Sequence, residues 1–361
     1  MAGADSLALV DDAPVFLLRG MRTGGSAVVE ALGHLPGLCV YYQALHPDLA
    51  LPYSTIAGQR GRDWAPGRHP RDLDYWGAFA PLVVADRVAG YEARFARTYA
   101  FPGGEADPEI VRWFSTLVAA AQAQGRRAVI GLEPAEGMLD ALRAAFPQAR
   151  FVGLTREAAA VRASWLELHR AGNDLFFDVA LEAMRAEPEA YGVRADDLPR
   201  DVRGLGEAGL VELFDRYHAV TDAVRRERTD ACASIEDLTA TDAAARTRAW
   251  AEAMGLTRAE HEAVVARLAT TRLTEPRDAS GAAGASGCPV SCAPVSAIIW
   301  ACLHSARDVL VHRPGQGSGR SLVGTHRSRL SKLDMVPGLS AGSSVERQGP
   351  CLGPPGRARV W

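Results

Sequence analysis

Pro14-Val15-Phe16-Leu17-Leu18-Arg19-Gly20-Met21-Arg22-Thr23-Gly24-Gly25-Ser26, continued by Ala27-Val28-Val29-Glu30-Ala31-Leu32, sets the architecture of this chain. An apolar run, a glycine-rich turn carrying a hydroxyl and arginines, and a helix-forming segment follow one another, as in a strand–turn–helix unit. Backbone N–H groups gathered in such a turn at a helix N-terminus make an anion site. A second stretch repeats the plan: Ala149-Arg150-Phe151-Val152-Gly153-Leu154-Thr155-Arg156, then an alanine-rich helix carrying Ser164. Two anion sites on one scaffold point to a ligand with two separated phosphates.

Lysine usage narrows the choice. The only lysine is Lys332, and arginine supplies every other basic side chain. A Walker-type loop needs a lysine after its second glycine, and Schiff-base or pyridoxal chemistry needs one at the reacting centre. The glycine spacing does not match the Gly-x-Gly-x-x-Gly dinucleotide fingerprint. The first loop therefore has to bind anions by another arrangement.

Composition divides the chain near residue 275. Residues 1–275 carry 30 basic and 39 acidic side chains, whereas residues 276–361 carry 10 and 4. The C-terminal part is rich in Gly, Ser, Pro and Arg and holds four of the six cysteines, with little sustained period. It is expected to be a low-complexity tail, disordered or non-homologous, because such composition cannot offset its ordering entropy. Cys288, Cys292, Cys302 and His304 are zinc-ligand types but fit no familiar finger spacing, so no metal is expected. The apolar run Val295–Leu303 is too short to span a bilayer. Asp5, Asp11 and Asp12 surround a weak apolar stretch where a signal peptide would need a basic start. Only Cys39 and Cys232 lie in the body, which fits a reduced cytoplasm. The acidic body offers no broad basic face for nucleic acid. A small-molecule ligand is expected, with neither nucleic acid nor membrane as partner.

Strand and helix signals alternate through the body, which predicts an α/β fold of three layers, a mainly parallel sheet with helices on both faces. Strands are expected at Leu38–Tyr42, Arg127–Leu132, Arg150–Thr155 and Ala231–Ile235. Helices are expected at Asp107–Gln124, Glu136–Phe146, Glu157–Ala171, Ala208–Arg228 and Thr241–Met254, where apolar residues recur at three- and four-residue steps.

The body, from about residue 14 to about residue 272, resembles the sulfotransferases that use 3′-phosphoadenylyl sulfate (PAPS), in their bacterial and Golgi-like branch. Arg22-Thr23-Gly24-Gly25-Ser26 stands where that family has a Pro-Arg-Ser-Gly-Thr-Thr type of loop. Phe146-Pro147-Gln148-Ala149-Arg150-Phe151 with Arg156 and Ser164 is similar to its Phe-Pro-x-Ala-x-Phe segment and the Arg and Ser that follow eight residues apart. Ser234-Ile235-Glu236-Asp237-Leu238 and Met254-Gly255-Leu256 are similar to its Tyr-Glu-Asp-Leu and late Leu-Gly-Leu segments. The resemblance implies a P-loop-like sulfotransferase fold, with Arg22, Thr23, Gly24, Gly25 and Ser26 around the 5′-phosphosulfate of PAPS. It places Arg156 and Ser164 on the 3′-phosphate, where charge-assisted bonds from arginine suit the ligand.

Three departures bear on activity. Gly25 replaces the first threonine of the family loop, Leu132 stands at a position where relatives carry lysine, and Gln43 stands where many carry a catalytic glutamate. Sulfuryl transfer needs positive charge at the leaving phosphate and a base at the acceptor. Arg22, with Arg19 beside it, can supply the charge. The base is assigned to His46, just past the second strand, whose imidazole titrates near neutrality; Glu133 and the insert Trp64–Tyr99 come next. That insert, with Tyr75, Trp76, Phe79, Tyr91, Phe95 and Tyr99, is either the acceptor lining or a cap whose aromatics are core. The expected activity is transfer to a hydroxyl or amine of a small molecule. A catalytically degenerate nucleotide-binding accessory protein, and more remotely a small-molecule kinase, are the alternatives.

Overall fold

A computed structural model describes residues 13–60, 73–101 and 104–271. The expected boundary at residue 275, the tail 276–361 with its cysteines, and Trp64 lie outside the described residues. In chain order the strands are β1 (Val15–Arg19), β2 (Leu38–Tyr41), the short β3 (Val83–Val84) and β4 (Arg87–Val88), β5 (Arg127–Leu132), β6 (Arg150–Thr155) and β7 (Ala231–Ser234). Five of them form one parallel sheet in the order β2-β5-β1-β6-β7, while β3 and β4 make an antiparallel hairpin. The main helices are α1 (Gly25–Gly33), α2 (Pro108–Gln122), α3 (Leu139–Ala145), α4 (Ala158–Arg170), α5 (Leu175–Ala186), α6 (Glu207–Arg228), α7 (Ile235–Thr239), α8 (Arg248–Ala253) and α9 (Arg258–Thr270). They flank the sheet in the three-layer α/β arrangement that the alternating pattern predicts.

Covered sheets of parallel strands read as continuous apolar runs, and every residue of β1 and β5 is buried. Leu18 of β1 lies opposite Leu132 of β5 on one side and Gly153 of β6 on the other. Phe16, at the centre, packs against Phe114 of α2 at 5.5 Å, Phe146 at 5.3 Å and Phe151 of β6 at 5.1 Å between ring centroids. A second apolar cluster gathers around Trp165 of α4, with Phe177 of α5 and Phe214 of α6 edge-on at 5.3 and 5.1 Å. Met21 drops from the glycine-rich loop into this second cluster. The loop is thus anchored by an apolar side chain as well as by its flanking elements.

Two helices begin or break differently from the periodicity, each for a visible reason. The helix expected from Glu136 starts at Leu139, because Glu136 turns its carboxylate back to accept from the Ala135 amide (3.1 Å) and to pair with Arg225. The helix expected over Thr241–Met254 is split into Ala243–Arg246 and Arg248–Ala253. Thr247 sits at the break, its hydroxyl 2.8 Å from both the Ala243 carbonyl and His261 Nε2. By contrast α2 starts as its sequence indicates: Asp107 accepts from the Glu109 amide at 2.8 Å and Pro108 opens the first turn.

Strand order fixes where a ligand site belongs. After β1 the chain crosses to β2 on one side, and after β6 it crosses to β7 on the other. Since β1 and β6 are neighbours, the topological switch point lies between their carboxyl ends, where open parallel sheets bind ligands. The loop 20–24 follows β1, and Arg156 follows β6.

Candidate functional site

The loop closes on itself first. Thr23 donates its hydroxyl to the Gly20 carbonyl at 2.7 Å and its amide to the same oxygen at 3.3 Å. Thr23 is buried, and its side chain holds the turn shut. Arg22 adopts φ 66° and Gly24 φ 82°, and Gly24 caps α1 with its carbonyl, which accepts from Ala27 at 3.0 Å. Alternation into and out of the left-handed region, here at Arg22 and Gly24 with Thr23 between them, is how a turn gathers its amides towards one point.

The residues singled out by resemblance meet here. Arg22 Nε donates to Ser164 Oγ at 3.0 Å across 142 residues of sequence, and Arg156 Nη1 donates to the Arg22 carbonyl at 3.2 Å. Arg156 Nε is buried without a hydrogen-bond partner, with Glu236 Oε1 3.9 Å away. The third segment closes against the same loop: Ile235 packs on Gly24 so closely that a Cβ there would lie 2.8 Å from Cγ1. Ser234 starts α7 by accepting from the Asp237 amide at 3.0 Å. Met254-Gly255-Leu256 is remote from the loop in role, since Arg127 and Arg150 there bond the carbonyls of Gly255 and Glu252.

Ser26 is half-buried and shares a 3.0 Å hydrogen bond with Tyr42 Oη. Gly25 explains its own departure from the family loop. An added Cβ would lie 2.6 Å from both Cδ and Nη1 of Arg19, so a threonine cannot stand there while Arg19 keeps its place. Arg19 is 1 % exposed, stacks its guanidinium 4.3 Å above the Tyr42 ring, and pairs with Glu133 at 3.3 Å. Its Nε and Nη2 are buried and unpartnered. On the other flank, Arg225 of α6 lies against Gly20, pairs with Glu136, and is also 1 % exposed. Sequence reasoning missed Arg225 and Glu136, which pair across 89 residues, and gave Arg19 only a supporting place. No local signal marks them, because the burial of an arginine is set by tertiary packing.

His46 stands after β2, but its ring is already engaged. Nδ1 accepts from the Asp48 amide at 3.2 Å, capping the turn Pro47–Ala50, and the ring packs on Trp76 at 5.1 Å. A neutral imidazole that accepts at Nδ1 carries its proton on Nε2, so the nitrogen able to take a proton faces the turn. Asp48 Oδ2 lies 3.7 Å from the same nitrogen, yet the amide bond fixes the tautomer. Burial pushes the His46 pKa down, the charge on Arg19 adds to this, and Asp48 opposes it. Gln43 stands on the same loop and donates Nε2 to Glu133 Oε2 at 3.3 Å.

The aromatic insert is largely core. Tyr75, Trp76, Phe79 and Phe95 are buried. Tyr91 donates to the His46 carbonyl at 2.7 Å, and Tyr99 donates to Glu182 at 3.2 Å. Among the described aromatics of the insert, Tyr75 lies near the loop, 4.7 Å from Tyr42 between centroids and within range of the charges of Arg19 and Arg22. Among the described residues there is no group of three or more His, Cys, Asp or Glu able to hold a metal ion, and no helix long and apolar enough to cross a membrane.

No protein-family description, curated protein or solved structure matches this chain.

Proposed function

We propose that this chain is a PAPS-dependent sulfotransferase of P-loop-like fold, moving the sulfuryl group to a hydroxyl or amine of a small-molecule acceptor. The observation that carries the proposal is the convergence of three distant segments on one loop: Arg22 on Ser164, Arg156 on the Arg22 carbonyl, and Ile235 on Gly24. They meet at the switch point of a parallel sheet, where a doubly phosphorylated nucleotide fits the donor set. Arg156, with a buried orphan Nε, suits the 3′-phosphate, and the loop amides with Arg22 suit the 5′-phosphosulfate. Charge developing on the leaving phosphate during transfer is met by Arg22 and by the N-terminus of α1. The protein acts in the cytoplasm on small molecules, with no nucleic-acid, membrane or metal requirement.

Transfer of radiolabelled sulfate from PAPS to a panel of hydroxylated metabolites and phenols tests the activity. Labelled product supports it. Binding of 3′-phosphoadenosine 5′-phosphate with no transfer to any acceptor favours the nucleotide-binding accessory protein instead, and absence of both sinks each of them.

A further inference from the structure

Three residues from three strand ends form one buried polar group beside the loop: Arg19 closes β1, Gln43 follows β2 and Glu133 follows β5. The shortest Arg19 contact and the Gln43 hydrogen bond to the Glu133 carboxylate fall on the same oxygen. Arg19 Nη1 lies 3.3 Å from Oε2, and Gln43 Nε2 donates to that same Oε2 at 3.3 Å. Oε1 makes no hydrogen bond among the described residues and is not among the fully buried unpartnered atoms, and the side chain keeps 9 % of its surface exposed. The guanidinium cannot drift away. Gly25 presses on one side of it, Gly131 lets Nε approach to 3.6 Å of where a Cβ would be, and the Tyr42 ring lies across its face.

We propose that Glu133 Oε1 is the general base of the transfer and that Arg19 is the positioning residue that ties down Oε2 and orients the carboxylate. The inference rests on the sulfuryl-transfer proposal above. In the step, the acceptor oxygen forms a bond to the donor sulfur as its proton passes to Glu133 Oε1. The bond from sulfur to the 5′-phosphate oxygen breaks, and its electron pair leaves on the phosphate. The charged groups around Glu133 act in opposite senses. Burial raises its pKa, Arg19 and the Gln43 hydrogen bond lower it, Arg22 lowers it further, and Glu136 raises it. Their net effect holds the carboxyl above its ordinary range, the direction that makes a carboxylate a stronger proton acceptor. His46, whose Nδ1 is occupied by the Asp48 amide, is not needed.

The test compares two acceptors with the full chain: phenol, which must lose a proton, and 4-nitrophenol, which is already ionised at slightly alkaline pH. Glu133→Gln is expected to cut transfer to phenol by about a hundredfold or more, to leave transfer to 4-nitrophenol near the wild-type value, and to bind 3′-phosphoadenosine 5′-phosphate as before. Arg19→Gln should move the acid limb of kcat/KM for phenol to higher pH by about 1–3 units, because Glu133 then ionises later. Arg19→Lys, which keeps the charge, should restore most of that limb and serves where Arg19→Gln does not fold. Equal loss on both phenols, no loss on phenol, or an acid limb indifferent to Arg19 overturns the inference. So does a wild-type chain that transfers to neither phenol; whether it still binds 3′-phosphoadenosine 5′-phosphate then decides separately whether the donor site survives.

Discussion

Replacing Gly25 by alanine measures how firmly Arg19 is held. The new Cβ would lie 2.6 Å from Arg19 Cδ and Nη1, well inside contact distance, and Arg19 is 1 % exposed. A free arginine would swing away at little cost. This one is pinned by Glu133 at 3.3 Å and by the Tyr42 ring at 4.3 Å, so either α1 shifts or the ion pair opens. Overpacking of this kind costs about 1–3 kcal/mol. Opening the pair adds to it, because a buried carboxylate left alone is itself costly. Gly33, the last residue of the same helix, meets nothing within 4 Å. Gly33→Ala should therefore be neutral or stabilising by up to about 0.5–1 kcal/mol, the ordinary gain of alanine over glycine in a helix. Thermal unfolding followed by far-UV circular dichroism separates the two. With about 2–4 °C for each kcal/mol in a domain of this size, Gly25→Ala should melt several degrees below wild type and Gly33→Ala at or above it. Equal melting temperatures for the two variants would refute the packing argument and, with it, the explanation for the missing loop threonine.

Further outcomes follow from other contacts. His46→Ala should lose about 0.5–2 kcal/mol with the cap on Asp48, while His46→Asn, a good capping residue, should recover most of it; no loss in the alanine variant would remove the capping role. Glu30 is buried and accepts from Arg267 Nε at 3.0 Å and from His34, so although burial raises its pKa, these partners hold it net below the ordinary 4.5. A depressed folded pKa means stability that is present above about pH 4.5 and lost as pH falls through the folded value. Arg267→Ala should therefore flatten the acid limb of a melting-temperature profile between about pH 6 and 3, and an unchanged limb would show that Glu30 does not couple to folding. Thr247→Val should cost about 1–3 kcal/mol by leaving the buried His261 Nε2 unpaired, read by urea unfolding; a cost near zero would mean that the histidine finds another partner.

The sheet was legible because its strands are covered on both faces. Arg127–Leu132 and Arg150–Thr155 read as apolar runs and fold as strands over those same residues. Helix α9 lies beyond the expected helices, and only His261, Val264 and Leu268 of its thirteen residues are buried while most of the others are charged or small. Arg22 and Arg156 follow the ends of the neighbouring strands β1 and β6, so their approach to each other was legible; Ser164, within α4, joins them through Arg22. What could not be read was pairing across long sequence separations. Arg225 meets Glu136, and Arg19 meets Glu133, through tertiary packing that no local period encodes. Gln43 appeared as a missing acid, whereas the structure makes it the hydrogen-bond partner of an acid on another strand. His46 drew notice for its chemistry, yet its position before Pro47 already suited a cap.

The central claim is that the loop after β1 and the arginine after β6 make one nucleotide site. Isothermal titration of the full chain with 3′-phosphoadenosine 5′-phosphate, comparing wild type, Arg156→Ala and the exposed control Arg112→Ala, tests it most directly. Loss of charged hydrogen bonds to phosphate at Arg156 should weaken binding roughly 10- to 100-fold, with Arg112→Ala indistinguishable from wild type. No binding by the wild-type chain, or equal affinity in Arg156→Ala and Arg112→Ala, would contradict the account.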